Sequence, residues 1–290
     1  MSDASAAEIR LSPPDPHPFV KWAGGKGSLV GAIAERIPRG RSYRRYVEPF
    51  VGAGAMFFWM RRSFPDIPAL IGDSNEELVS AYRAIRDHVE NVISKLETHA
   101  MMHSEEHYYA VRGRVPHAPV ERAARFIYLN RTCYNGLYRV NRKGGFNVPI
   151  GRYANPKIVD RENLLAVATA LASTELRSGD FEELARDCGA GDLVYLDPPY
   201  DPLSPTSQFT SYTREGFHEP EQQRLATAFA AMAERGACVI LSNSDTALIR
   251  RLYGELSPKP AIDEVEVPRS INSKAGGRGK IKELLIHTCP

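Results

Sequence analysis

The sequence predicts an α/β protein, a mainly parallel sheet with helices on both faces that is interrupted once by an inserted segment. Three observations predict this. Short apolar runs at Ala69-Leu70-Ile71-Gly72, Leu193 to Leu196 and Ala237 to Leu241 have the length and continuity of strands buried on both sides. Between them lie stretches with apolar residues three and four apart, as in Val79, Tyr82, Ile85, Val89, Val92 and Leu96, the spacing of one helix face. The alternation lapses between about Leu96 and Glu175, where aromatic, Arg- and Gly-rich sequence takes over, and then resumes.

The elements follow in order. Pro13, Pro14, Pro16 and Pro18 resist helix, so residues 1–18 read as a mobile arm and the folded body begins near Phe19. Val47 and its neighbours form a strand ending at Pro49, a glycine turn follows, and Met56 to Phe64 suits a helix. After the strand at Ala69 comes the long helix through Leu96, and residues 96–174 form the insertion. Glu175-Leu176 and Leu193 to Leu196 read as strands, Leu225, Phe229 and Met232 as one helix face, and Ala237 to Leu241 as a further strand. The runs Ile262 to Val267 and Leu284 to Ile286 pair as the last two strands. Residues 19–95 and 175–290 are thus one domain, split by the insertion.

Composition narrows the function. Of 290 residues, 25% are charged and 43% hydrophobic, which fits a soluble globular protein. The formal charge of +2 argues against a polycation that coats nucleic acid non-specifically, so any basic surface is local. Cys133, Cys188, Cys238 and Cys289 are dispersed, form no CxxC or Cys/His cluster, and read as reduced packing residues with no metal to hold. Acids at Asp3, Glu8 and Asp15 and the lack of a long apolar run argue against a signal peptide or a membrane span, and a cytoplasmic protein is expected.

Four stretches carry chemistry. Lys21 to Ser28 (KWAGGKGS) imitates a phosphate loop but has Val20 where the first glycine belongs and Gly27 where Ser or Thr should follow the lysine, so a glycine turn opening a helix fits better. Glu48 to Gly54 (EPFVGAG) stands between a strand and a helix, where nucleoside cofactors meet an α/β sheet. Phe57 replaces the third glycine, which argues against a pyrophosphate cofactor. Asp73, at the end of the next strand, is placed either to accept from ribose hydroxyls or to cap a helix. Asp197-Pro198-Pro199-Tyr200 directly follows a buried strand. There a carboxylate and a proline-fixed carbonyl can accept both N–H bonds of an exocyclic amine while Tyr200 stacks on its base.

Glu121 to Asp160 holds eight basic residues against two acids, interleaved with Tyr128, Tyr134, Tyr138, Phe146 and Tyr153, the mixture expected where a protein follows phosphates and stacks on bases. A solvated face is the plain alternative. Arg269 to Lys282 reads as a second, flexible phosphate-contacting loop.

In this order the pieces KWAGGK, EPFVGAG, Asp73-Ser74-Asn75, Tyr134 to Arg139 (YNGLYR), Phe146 to Gly151 (FNVPIG) and DPPY resemble a Dam-type DNA adenine N6-methyltransferase, the D12 class in its permuted order. The loop from Asp201 to Tyr212 also resembles that of the GATC-methylating branch, and the resemblance covers nearly the whole chain after Pro18. It implies a Rossmann-like class I methyltransferase sheet that binds S-adenosylmethionine and needs no metal. The insertion becomes a mainly helical target-recognition domain with a β-hairpin. Trp22, Lys26, Phe50, Gly52, Gly54 and Asp73 would hold the cofactor, with Asp197 near its methionine end. The target adenine would be flipped out of duplex DNA; Asp197 and the Pro198 carbonyl would accept from N6 and Tyr200 would stack on the base.

The same resemblance assigns DNA contacts. Tyr134 and Asn135 would fill the gap left by flipping, Leu137 would touch a thymine methyl, and Arg139 would read guanine through O6 and N7. Lys21 would contact the first guanine of the site, and Pro149 and Arg152 lie on the returning arm. The expected site is 5′-GATC in double-stranded DNA, with no obligate protein partner. Cytosine N4 and glutamine methyltransferases usually open the tetrapeptide with Asn or Ser, unlike Asp197. An RNA adenine methyltransferase and a non-catalytic DNA-binding module on the same fold are the alternatives.

Overall fold

The computed structural model describes residues 14–22, 24–202, 217–268 and 280–289. Most of the proline-rich arm, the loop that begins at Leu203 after DPPY and residues 269–279 lie outside the described residues; the end of the expected Arg269 to Lys282 loop, Lys280 to Lys282, is strand instead.

The sheet has seven strands: β1 (Arg45–Glu48), β2 (Ala69–Asp73), β3 (Thr174–Ser178), β4 (Asp192–Leu196), β5 (Cys238–Ser244), β6 (Ala261–Pro268) and β7 (Lys280–His287). They lie in the order β3-β2-β1-β4-β5-β7-β6, the first five parallel and β7 antiparallel to both of its neighbours. Order reverses between β1 and β4, so the crevice at their carboxyl ends is where this class of sheet takes a ligand.

Alternation along each strand divides the core. Val47, Leu70, Val194, Leu196, Val239, Leu241, Leu284 and Ile286 face α7 (Phe181–Ala185), α8 (Glu219–Glu234) and α9 (Ala247–Gly254). Tyr46, Ile71, Tyr195, Ile240 and Leu285 face the other way, towards α1 (Val30–Glu35), α2 (Ala55–Ser63) and α3 (Glu76–Met101). Helices on both faces were expected, and the last two strands pair as expected.

The long helix α3 is capped by Asn75, whose side chain accepts from Leu78 N at 3.1 Å, and it is interrupted at His88. It runs past Leu96 into the insertion and packs against α5 (Pro119–Thr132) and α6 (Arg161–Leu171). Phe126, Tyr128, Tyr138, Phe146 and Val148 of the insertion join the same apolar cluster as Tyr82 and Ile71. α4 (Glu105–Gly113) covers α5, and a hairpin follows α5, closed by isolated bridges Cys133 to Ile150 and Val140 to Phe146.

Two expectations are corrected. Cys238 and Cys289 form a disulfide, with Cα atoms 4.6 Å apart. The antiparallel pairing of Ile240 with His287, continued two residues outward, sets them opposite each other, a proximity that a sequence separation of 51 conceals. Cys133 and Cys188 are buried and free. The second correction concerns the aromatic residues among the basic ones. Tyr128, Tyr138 and Phe146 are buried, and Arg125 is spent on the Val111 and Arg112 carbonyls, so only Tyr134 is openly exposed among the five rings. The interleaved rings are largely packed inside the insertion.

Among the described residues no helix is long and apolar enough to cross a membrane.

Candidate active site

The carboxyl ends of β1, β2 and β4 bring three predicted groups together. Gly52 and Gly54, in the turn after β1, have φ of +48° and +78°. A Cβ on Gly52 would come within 2.8 Å of the Trp22 ring, and one on Gly54 within 2.7 Å of the Tyr82 hydroxyl, so only glycine fits either place. Tyr82 donates to Gly52 O at 3.1 Å, which ties the turn to α3.

Asp73 closes the turn from the side. Its Oδ2 accepts from Gly52 N at 3.1 Å and its Oδ1 from Asn75 N at 2.9 Å. Asn75, not Asp73, caps the helix, which removes the helix-cap reading of Asp73. Burial pushes the Asp73 carboxyl up to about 6, against the pull of those backbone N–H groups. Phe50 stacks on Phe181 with ring centres 5.3 Å apart, and Phe217 meets Phe50 edge-on at 5.9 Å. These rings line a slot beside the turn.

Asp197 follows β4. Lys26 Nζ lies 2.9 Å from Asp197 Oδ1, and Ser242 Oγ donates to the same oxygen at 3.0 Å. Burial raises the Asp197 carboxyl above the usual range, while Lys26 and Ser242 oppose that rise. The same Lys26 ammonium sits 4.1 Å above the centre of the Tyr200 ring and donates to Gly24 O at 2.7 Å. The tetrapeptide backbone is fixed from below: Gln222 Nε2 donates to Pro199 O at 3.0 Å, Asn243 Nδ2 donates to Gln222 Oε1 at 3.1 Å, and Asp201 N donates to Asn243 Oδ1 at 3.2 Å. Among the described residues no hydrogen bond is made to Pro198 O. The crevice therefore offers Asp197 Oδ2 and Pro198 O as acceptors beside an immobilised aromatic ring.

Glu48 is buried at the end of β1 and accepts from Tyr46 Oη at 2.7 Å. Burial pushes its carboxyl well up, and the nearby Asp197 and Asp73 add to this.

The predicted DNA contacts gather on one side of this crevice. Asn130, 1% exposed on α5, accepts from Lys21 N at 2.7 Å, donates to Lys21 O at 2.7 Å and donates to Gly136 O at 3.1 Å. One side chain thereby fastens the KWAGGK segment to the YNG turn. Trp22 continues the link, packing on Gly52 and lying 5.5 Å from the Tyr138 ring. Lys21 Nζ stands 4.1 Å above the Tyr153 ring.

Tyr134 and Asn135 are exposed in the turn directly after α5, at the base of the hairpin, Asn135 with φ of +53°. Arg139 is exposed and donates through Nε to Asn147 Oδ1 at 2.8 Å, and Nη2 makes a longer 3.4 Å contact with Asn147 O. Leu137 packs partly into the core, while Pro149 and Arg152 are exposed on the returning arm.

Sequence reasoning missed Asn130, Gln222, Ser242, Asn243, Glu283, Phe181 and the site role of Glu48. Asp180-Phe181 was open to detection, because it follows a strand end just as Asp73 and Asp197 do. The polar run Ser242-Asn243-Ser244, ending an otherwise apolar strand, was a second signal.

Comparison with known proteins points to one family. The family model of the D12 class N6 adenine-specific DNA methyltransferase matches residues 22–270. A type II methyltransferase of Lactococcus lactis subsp. cremoris is 42% identical over 93% of this chain and 94% of its own length. One of Methanocaldococcus jannaschii is 41% identical, over 93% of this chain and 98% of its own. The DNA adenine methylase of Escherichia coli (strain K12) is 36% identical, over 92% and 93%.

Proposed function

The chain belongs to the D12 class of N6 adenine-specific DNA methyltransferases, and from that premise we propose that it methylates N6 of an adenine flipped out of duplex 5′-GATC, with S-adenosylmethionine as donor. One observation carries the reading. Asp197 Oδ1 holds both Lys26 and Ser242 and Pro199 O is taken by Gln222, which leaves Asp197 Oδ2 and Pro198 O to accept the two N–H bonds of an adenine amine.

The residues fit the donor. Asp73 offers a backbone-anchored carboxylate to a ribose diol, and Trp22, Phe50, Gly52 and Gly54 form a close-packed wall with no pyrophosphate loop. Lys26 sits beside Asp197, which faces the methionine end. When bound, S-adenosylmethionine supplies an electrophilic methyl on a sulfonium. Asp197 and Pro198 O hold both amine hydrogens and so direct the nitrogen lone pair, and Tyr200 stacks on the base that carries it. Lys26 and Ser242 hold the carboxylate in place and oppose its protonation.

On the DNA side, Lys21 and Arg139 read the two guanines, Leu137 meets a thymine methyl, Tyr134 and Asn135 occupy the vacated stack, and Pro149 and Arg152 follow the backbone. The shared anchor at Asn130 supports this assignment, since it fixes Lys21 and the hairpin in one frame. The test is to treat unmethylated plasmid with purified protein and S-adenosylmethionine and to map modified adenines by long-read sequencing. Modification confined to GATC is expected; another motif would overturn the site, and no modified adenine would overturn the reaction.

A further inference from the structure

Strand β7 is the antiparallel strand next to β5, and its outward side chains look structural: Lys282 pairs with Glu264 of β6 at 2.7 Å. Its neighbour Glu283 turns the other way. Glu283 Oε2 accepts from Tyr200 Oη at 2.7 Å, across 83 residues of sequence. The β5–β7 register, which sets Ser244 opposite Glu283, delivers the carboxylate to the crevice. Burial raises its carboxyl, partly offset by the Tyr200 hydroxyl and by Lys26.

Tyr200 is thereby restrained at every freedom it has. Its backbone is held on both sides, through Gln222 to Pro199 O and through Asn243 to Asp201 N. The ring still needs its rotation fixed. Lys26 covers one face of the ring at 4.1 Å, and Glu283 anchors the hydroxyl at its far end. A ring that stacks on a base works best when its plane is set before the base arrives, because the ordering cost is then met during folding.

We propose that Glu283 is a positioning residue for methyl transfer: by holding the Tyr200 hydroxyl it sets the plane on which the flipped adenine stacks. This rests on the reading of Tyr200 as the stacking ring, and the test separates the two. Glu283→Ala, Tyr200→Phe, the double variant, Glu283→Gln and Tyr200→Ala are compared in steady-state transfer to a GATC duplex. Calorimetric affinity for S-adenosylmethionine and the thermal midpoint are followed alongside.

Glu283→Ala and Tyr200→Phe should each lower kcat by roughly tenfold, the scale of one lost charge-assisted hydrogen bond, and the double variant should be no worse than either. KM for DNA and cofactor affinity should stay near the parent values. Glu283→Gln keeps an acceptor and should recover most of the rate. Multiplicative losses in the double variant would overturn the proposal. So would a silent Glu283→Ala beside a disabled Tyr200→Ala, or a Glu283→Ala whose loss lies in cofactor affinity and thermal midpoint. A fully active Tyr200→Ala would overturn the stacking role itself, and the proposal with it.

Discussion

Asp73 shows how one residue can be placed by sequence while the bonds that hold it stay hidden. Its position at the end of β2 is legible from the buried run before it, but its bond to Gly52 N joins it to a turn 21 residues earlier. A carboxyl raised from 3.8 to about 6 binds protons more readily in the folded chain than in the unfolded one. Its contribution to stability therefore grows as pH falls from above 6 towards 4. Cofactor binding should run the other way. If the ionised Asp73 accepts ribose hydroxyls, affinity for S-adenosylmethionine measured by calorimetry should weaken as pH drops through about 6. In Asp73→Asn that pH step should vanish, with affinity lowered by roughly 1.5–3 kcal/mol at pH 8.

Arg139 belongs to the same scale. Its Nε is already held by Asn147, so Nη1 and, once its 3.4 Å contact is released, Nη2 are the donors available to guanine O6 and N7. Arg139→Ala should relax discrimination at the final base pair of GATC by about 1–3 kcal/mol, read from kcat/KM on duplexes altered there. Lysine should rescue poorly because an ammonium lacks the planar fork. Lys143, exposed in the turn at the end of the hairpin, is the candidate phosphate contact, and Lys143→Ala should instead weaken all sequences alike and flatten the salt dependence.

At the scale of elements, helices and strands were legible wherever periodicity was strong, as in α3 and β4. The insertion was harder. Its aromatic residues read as a base-stacking surface because sequence shows which side chains are present but not which way they turn once packed. Tyr128 turns inward from α5, while Tyr138 and Phe146 turn inward from the hairpin and pack with Trp22 and Phe126. Asn130 escaped notice for a related reason: a lone Asn on an apolar helix carries no motif, and its value lies in two distant backbone segments.

The structure makes that value measurable. Asn130→Ala leaves Lys21 N, Lys21 O and Gly136 O without their partner in a partly buried site, so urea unfolding should show a loss of about 3 kcal/mol. Asn130→Asp keeps the acceptor for Lys21 N but sets a carboxylate against two carbonyls, and should destabilise at least as much. If both are neutral, the clamp between the KWAGGK segment and the hairpin is not a stabilising element.

At the scale of the whole molecule, the first described segment and the last strand both converge on the crevice. His17 is held by Asn163 of α6 through N and O at 2.9 and 3.0 Å, and Lys21 by Asn130 in the same two-sided manner. Glu283 arrives from the other end of the sequence. Sequence showed the order of the motifs but not this closure, because the partners are backbone groups and single polar residues more than 80 positions apart. The Cys238–Cys289 disulfide was missed because it follows from the β5–β7 register, which no motif records.

The central claim is that Asp197 holds the reacting amine. Its most direct test is nucleoside mass spectrometry of GATC duplex treated with S-adenosylmethionine and either parent protein or Asp197→Ala, with unfolding checked in parallel. The account predicts N6-methyladenine with the parent and none detectable with a folded Asp197→Ala. N6-methyladenine formed at a comparable rate by that variant would contradict it.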